Sequence, residues 1–395
     1  MSKTCPVALI GQKFMGRAHS NAYLKAAKFF DLPLMPVMHT IAGRDRAELE
    51  AFAARWGWAR CTTRWRDLAE DADIRLVDVG TPNDIHAEPS IAMLEAGKHV
   101  ACEKPLAGTL ADARAMRDAA AKAKKCRTFV WYNYRRCPAV ALAHQLVKEG
   151  RLGRIYHVRA TYLQDWGGPE TPLLWRFQKK HAGSGAHGDL NAHLVDMARF
   201  ITGDEIVEVC GALSETFIKE RSVPAAGPSG QIAAGARGGG RKGKSDVDDG
   251  VLFLARFKKG AAASFEATRL ATGNQNANSI EINGDRGSIR FQFEDMNLLW
   301  FFDATRDRRE QGWTRIMCTA AGHHPYAGNW WPDAHVLGYE HGFINMVADM
   351  MRVLGGLKPV VPLPDFADAY ETQRVLEAAL VAARERCAVK LSEIR

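Results

Sequence analysis

The chain has 395 residues, 47% of them hydrophobic, and its 53 lysines and arginines against 45 acidic residues give a net charge of +8. That length exceeds one ordinary domain and that apolar content fills one or two cores, so two globular domains are expected and a disordered or fibrous chain is excluded. The charge excess favours anionic ligands such as phosphates but is spread too widely for a nucleic-acid surface. The densest basic run, "RGGGRKGK" (237–244), lies in a Gly/Pro/Ser-rich stretch from Pro224 to Ser245 and has no interleaved aromatics to stack on bases. It reads as a solvated, mobile loop. The eight cysteines occur singly, without any CxxC pair or His-rich cluster, which argues against a disulfide framework or structural zinc. No apolar run approaches the length of a membrane span, and the chain opens almost directly on its first strand. A cytoplasmic, reduced protein without membrane or nucleic-acid partners is expected.

In chain order, "VALI" (7–10), "MHTIAG" (38–43), "RLVDVG" (75–80), "KHVACE" (98–103) and "RTFVWY" (127–132) alternate with Ala-rich amphipathic stretches such as "LADARAMRDAAAKAKK" (110–125). Strand and helix in alternation predict a doubly wound parallel sheet of the Rossmann type, placed at residues 1–135. From about Gly153 the texture changes to longer β-type segments: "RIYHVRATYL", "IVEVCGALSETFI", "GVLFLARF", "AAASFEATRL", "SIEINGDRGSIRFQF" and "LLWFF". These, with the hairpin signal Asn283-Gly284-Asp285, predict a large, mostly antiparallel open sheet in an α+β domain over 136–395. Helical pieces are expected over Asp189 to Ile201, Val336 to Leu354 and Phe366 to Arg386, and the last helices are allowed to pack back on the first domain.

After the first strand, Gly11, Lys13, Phe14, Met15 and Gly16 make a degenerate version of the GxGxxG phosphate loop, with Lys13 where the middle glycine belongs. Gly11 suits the tight turn and Gly16 the close helix packing. Lys13 leaves its backbone near the phosphates while its ammonium reaches out to neutralise them, or else points into water. The second strand ends on Gly43 and Arg44, without an acidic residue at the position that accepts from the ribose hydroxyls, although Asp45 follows. The cofactor is therefore read as NAD(P), with NADP favoured over NAD.

Two later stretches are more specific: "VDVGTPNDIHAEPSIAMLEAGKHVACEKPLA" (77–107) and "AGSGAHGDLNAHLVDMARFITG" (182–203). Together they resemble the Gfo/Idh/MocA family of nicotinamide-dependent sugar and cyclitol dehydrogenases, and the resemblance runs over nearly the whole chain. It implies a Rossmann domain joined to an open antiparallel sheet whose outer face makes oligomer contacts, hence a homodimer or homotetramer. On the matching motifs it implies cofactor contacts from Thr81-Pro82-Asn83, His86 and Glu103-Lys104, and substrate contacts from Asn133 of "YNYRRCPA". "LLWRFQKK", with Trp175 and Arg176, and "HVLGYEHGF" look closest to the branch of levoglucosan and inositol-type dehydrogenases. The 224–245 stretch looks like an insertion. Asn191 replaces the glycine that many relatives carry between the acidic residue and the histidine, either to contact substrate or to tolerate an unusual backbone angle.

Oxidising a secondary alcohol needs a base for the hydroxyl proton, a positive group for the growing alkoxide, and a nicotinamide held close to the carbon that loses hydride. Asp189 and His193, spaced i, i+4, project from one helix face; His193 is the candidate base and Asp189 holds substrate and favours the right histidine protonation state. Lys104, at the end of a central strand, lowers the alcohol's pKa. These three are the candidate catalytic residues. His86 contacts cofactor or has a capping or core role, and Asp196 orients His193 or pairs with Arg199. Trp175, Arg176 and Asn191 are candidate substrate contacts, as is His335 within the polar, aromatic stretch 323–343; no metal is expected. The expected activity is an NAD(P)-dependent dehydrogenase of a sugar, anhydrosugar or cyclitol. A glycoside-processing enzyme with transient oxidation and a metabolite sensor without turnover are the competing readings.

Overall fold

The computed structural model describes residues 3–224 and 238–394, which divide into two compact units: 3–136 with 338–370, and 137–224 with 238–337 and 371–394.

In the first unit, β1 (Lys3–Ile10), β2 (Leu34–Ala42), β3 (Arg60–Thr62), β4 (Leu76–Val79), β5 (His99–Cys102) and β6 (Thr128–Val130) form one parallel sheet in the order β3-β2-β1-β4-β5-β6. β3, absent from the sequence-based expectation, is a three-residue edge strand too short to show alternation. The helices α1 (Phe14–Phe29), α2 (Arg46–Trp56), α3 (Asp67–Glu70), α4 (Ala87–Glu95) and α5 (Leu110–Lys122) are the crossovers. Val7, Leu9, Leu76, Val77, Val79, Val100 and Ala101 are wholly buried, as strands covered on both faces require. The strand order reverses between β1 and β4, which opens a crevice beyond their carboxyl ends.

The second unit begins with α6 (Pro138–Lys148) and β7 (Ile155–Leu163), followed by the short α7 (Lys179–Ala182) and by α8 (Ala192–Thr202). Its strands are β8 (Ile206–Glu215), β9 (Glu220–Pro224), β10 (Gly238–Lys244), β11 (Gly250–Phe257), β12 (Ala262–Thr268), β13 (Ala277–Gly284), β14 (Gly287–Gln292), β15 (Leu298–Asp303) and β16 (Trp313–Met317). Nine strands, counting a terminal two-residue strand Val389–Lys390, form a sheet that is antiparallel except where β12 runs parallel to β7. α8 and α6 cover one face. The other leaves Leu213 of β8 and Leu252 and Leu254 of β11 exposed, with Leu213 and Leu252 directly opposite each other.

The basic stretch expected as a loop is partly strand: β10 pairs antiparallel with β9, and Asp249 and Gly168 hold Arg221 of that ribbon. Residues 225–237, including the first of the "RGGGRKGK" run, lie outside the described residues.

The chain re-enters the first unit with α9 (Tyr339–Leu354), which packs on α1 and on the turn Asn133–Arg136. Buried Arg136 anchors this return: its guanidinium donates to the carbonyls of Val361 and Pro362 and lies 3.4 Å from Asp349. α10 (Phe366–Glu385) follows, with residues 371–385 belonging to the second unit.

Candidate active site

At the switch point of the first sheet, Gly11 has φ +113°, and a Cβ there would lie 2.6 Å from the Gly80 carbonyl oxygen. A Cβ on Gly16 would lie 2.3 Å from the carbonyl oxygen of Gly11. Backbone therefore crosses backbone too closely for any side chain, the geometry that lets a phosphate approach main-chain N–H groups. α1 starts at Phe14 without a side-chain cap and without an acidic residue in its first turn, so the amides of Phe14, Met15 and Gly16 and the positive end of the helix dipole are left for an anion. Above β4, the hydroxyl of Thr81 is buried and unpartnered among the described residues. These features fit a dinucleotide.

Lys13 turns its ammonium to Glu48 in the first turn of α2, with both side chains about half exposed. Gly43 makes room for Gln12, whose amide oxygen would be 1.8 Å from a Cβ there. Arg44 is exposed and has no ion pair among the described residues. Asp45 caps α2, its carboxylate accepting the Glu48 N–H at 2.8 Å.

Pro82 leads into a turn at Asn83–Ile85, where Asn83 accepts the Gly108 N–H through its carbonyl. His86 is wholly buried, with Nε2 2.9 Å from the Thr81 carbonyl and Nδ1 3.0 Å from that of Pro105. Burial lowers its pKa, with these carbonyls opposing the shift. Its ring thus ties the Thr81 loop to the turn after β5. In that turn Lys104 is half-buried, the Lys104–Pro105 peptide is cis, and Glu103 is 5% exposed. Asn133 is buried beside α9.

In the second unit, Asp189 sits in a π-helical turn, His187–Asn191, that runs straight into α8. The helix expected from Asp189 onward is therefore wider at its start, a feature common at functional sites. The Asp189 carboxylate, partly exposed, accepts 2.8 Å from the Arg269 guanidinium, which is itself 1% exposed. Arg269 also donates to the carbonyls of Gly185 and Arg176 and lies over the Trp166 and Phe177 rings. Asp248 accepts the Gly185 and His187 N–H groups, both at 2.7 Å, and so pins the residues before Asp189. His193, in the first turn of α8, is 6% exposed, with its ring 6.1 Å from that of Tyr162.

Asn191 has ordinary helical angles, φ −62° and ψ −26°, so the unusual backbone angle is not found. It is wholly buried, and its amide nitrogen faces His187 Nδ1 at 3.0 Å and the Val251 carbonyl at 3.2 Å. His187 is buried, its pKa lowered by desolvation. Asp196 is buried, and Arg199 forks onto Glu205. Trp175 and Arg176 form a half-buried turn with the guanidinium over the indole at 4.5 Å. His335 is exposed, its Nδ1 2.9 Å from the Pro332 carbonyl. Among the described residues one group, His39, Asp71 and Asp73, gathers three metal-ligand atoms, and Arg60 stands beside the Asp71 carboxylate as a protein cation.

Sequence reasoning missed Arg269, Asp248 and the buried partners of Glu103. Arg269 lies 80 residues from Asp189 and no local spacing connects them.

Residues 5–132 match the model of the oxidoreductase family with an NAD-binding Rossmann fold, and residues 140–290 match the GFO/IDH/MocA C-terminal domain. The chain belongs to the GFO/IDH/MocA oxidoreductase family. Levoglucosan dehydrogenase of Pseudarthrobacter phenanthrenivorans is 42% identical over 98% of each chain. A 1,5-anhydro-D-fructose reductase of Ensifer adhaerens is 31% identical over 65% of this chain and 67% of its own. Among solved structures, an oxidoreductase domain protein of Kribbella flavida superposes with TM-score 0.92 at 49% identity, covering 98% of this chain and 99% of its own. A levoglucosan dehydrogenase in complex with NADH and L-sorbose gives TM-score 0.90 at 40% identity, with the same coverage. This chain is an oxidoreductase acting on CH–OH groups, with an NAD-binding Rossmann fold. No helix of the described residues is long and apolar enough to cross a membrane.

Proposed function

We propose that this chain oxidises a ring hydroxyl of an anhydrosugar of the levoglucosan type to the ketone, with Lys104, Asp189 and His193 as the acting groups. The observation that carries the role of Asp189 is its ion pair with buried Arg269, which holds a carboxylate in a fixed direction at the head of α8. A dinucleotide held here would supply the acceptor for the hydride. Gly11, Phe14, Met15 and Gly16 would hold its phosphates by backbone, and the orphaned Thr81 hydroxyl, with Pro82, Asn83 and the Glu103-Lys104 turn, its nicotinamide half.

Each protein group answers one demand of the reaction. His193 takes the hydroxyl proton. Asp189 accepts a hydrogen bond from the substrate and favours the charged histidine that results. Lys104 stabilises the negative charge that grows on the oxygen as hydride leaves. Asn133, Trp175, Arg176 and His335 are further substrate contacts in this reading, and the buried Asn191 amide acts through His187 rather than by touching sugar.

At the adenosine end, Asp45 is committed to capping α2 and Gly43 offers no carboxylate, which leaves Arg44 to meet a ribose 2′-phosphate. NADP is therefore accepted, and favoured over the NAD that the related NADH complexes imply. The exposed apolar patch of Leu213, Leu252 and Leu254 supports a homodimer or homotetramer that covers the open face of the large sheet. Incubating the protein with levoglucosan, L-sorbose and myo-inositol, each with NAD and NADP, tests the activity by nicotinamide absorbance. Reduced cofactor accumulating fastest with levoglucosan supports the reading, and its absence with every polyol and both cofactors overturns it.

A further inference from the structure

Beneath the Lys104 turn lies a buried charged cluster that the reaction scheme leaves without a task. His19 of α1 is 0% exposed, with Nε2 3.0 Å from Glu103 Oε1 and Nδ1 3.0 Å from Asp78 Oδ2. The Asp78 contact is an ion pair. The imidazole stacks on Trp131 at 3.9 Å between ring centroids, and Phe343 of α9 closes its edge. Asp78 also accepts from Trp131 Nε1 at 2.9 Å and from the Tyr23 hydroxyl at 3.0 Å. The other oxygen of Glu103, Oε2, accepts the backbone N–H of Lys104 at 3.0 Å. Among the described residues, His19 is the one ion-pair partner of both buried carboxylates.

We propose that His19 is a positioning residue for Lys104, holding Glu103 by one oxygen so that the other grips the Lys104 backbone. The inference rests on the reading that Lys104 acts on the substrate. Two buried carboxylates without a cation would repel one another and swing apart, and the Lys104 N–H would lose its acceptor. A single imidazolium between them opposes that motion, and the Trp131 and Phe343 rings keep it from rotating away. Burial alone would lower the histidine's pKa, yet Asp78 first and then Glu103 overcome it and raise it from 6.5 to about 9. The other titratable groups facing the cluster are neutral: burial pushes the Tyr23 hydroxyl and the Cys102 thiol well above their ordinary range and lowers His86. His19 is thus the group whose deprotonation would loosen the grip on Lys104.

The test compares the full-length parent with His19→Gln and Glu103→Gln, reading turnover, KM, dinucleotide affinity by fluorescence, and the Lys104 backbone amide by NMR from pH 6 to 10, with His19 followed in the same spectra. Expected are a kcat lowered by about ten- to a hundredfold in His19→Gln, the scale of a misplaced reacting group, with KM and dinucleotide affinity within about twofold. In the parent, the Lys104 amide should shift with the same midpoint as the His19 ring, and that shift should vanish in both variants. The amide reading needs neither a well-folded variant nor a catalytic lysine. If Lys104→Ala keeps full turnover while the amide still follows His19, the catalytic reading of Lys104 falls and the grip on its backbone stands. A Lys104 amide indifferent to His19 titration in the parent, or a His19→Gln enzyme with parental kcat, overturns the proposal.

Discussion

Asp189 and Arg269 stand 80 residues apart in the chain and 2.8 Å apart in space, and the arginine is the more deeply buried of the two. β12 ends at Thr268, so the strand delivers Arg269 directly to the π-turn that carries Asp189. The Trp166 and Phe177 rings pack against the guanidinium, and its hydrogen bonds to the Gly185 and Arg176 carbonyls fix the direction from which it meets the carboxylate.

Removing the guanidinium should therefore free Asp189 and also leave the Gly185 and Arg176 carbonyls short of a donor. Arg269→Ala is expected to cost about 1–3 kcal/mol of stability and to raise KM for the polyol. Arg269→Lys should keep more of the stability than of the affinity, because an ammonium cannot reproduce the forked contact. Urea unfolding and steady-state kinetics on both variants check this, and an unchanged KM in Arg269→Ala would separate the pair from substrate binding.

The buried His19 makes stability depend on pH. Its pKa is raised from 6.5 to about 9 in the fold, where burial is outweighed by Asp78 and Glu103. A raised pKa means the folded state binds the proton more tightly, so the contribution is fully present below about pH 6.5 and disappears as pH rises through about 9. Urea midpoints of the parent should fall across that window. His19→Gln should be less stable than the parent at pH 6 and flatter from pH 6.5 to 9; a parent midpoint that does not fall would contradict the assignment of charge.

Cofactor choice is expected to turn on Arg44. Arg44→Ala should weaken NADP more than NAD in a fluorescence titration, and equal losses would remove the 2′-phosphate role. Lys13→Gly should leave dinucleotide affinity nearly intact, since the ammonium pairs with Glu48 and the loop's backbone makes the phosphate cradle.

For assembly, Leu254→Glu places a charge in the exposed apolar patch, two residues along β11 from the opposed pair Leu213 and Leu252. Sedimentation should find the parent as a dimer or tetramer at micromolar concentration and the variant dissociated. A parent that sediments as a monomer would reject the oligomer.

The parallel sheet was legible because each of its longer strands is a short apolar run ended by a glycine or a turn, as in "VALIG" and "VDVG". The antiparallel sheet was legible from alternation, as in "GVLFLARF", where Leu252 and Leu254 face outward and Val251, Phe253 and Ala255 inward. β3 and β16 carry too few residues to show a pattern. Within the candidate site, the glycines at 11 and 16 announced a close backbone crossing, but the pairing of Lys13 with Glu48 did not show, because it joins the loop before α1 to α2, 35 residues on. The π-turn was hidden as well: "HGDLNAHL" has nothing in its composition that separates a wide turn from an α-helical one. Asp189 and His193 could be singled out by family-like spacing, whereas Arg269 and His19 act through contacts that only the folded chain creates.

The central claim is that Lys104 and His193 carry the chemistry, and initial-rate kinetics on a polyol that the parent oxidises test it most directly. Lys104→Ala should lower turnover by about two or more orders of magnitude, the scale of losing an electrostatic stabiliser, with the fold and most dinucleotide affinity retained. His193→Ala should lower it by roughly 10² to 10⁴ and abolish the acidic limb of the pH-rate profile. The double variant should lose less than the product of the two, because both groups serve one oxygen and its proton. Near-parental dehydrogenation by both single variants would contradict the account and put the reacting groups elsewhere.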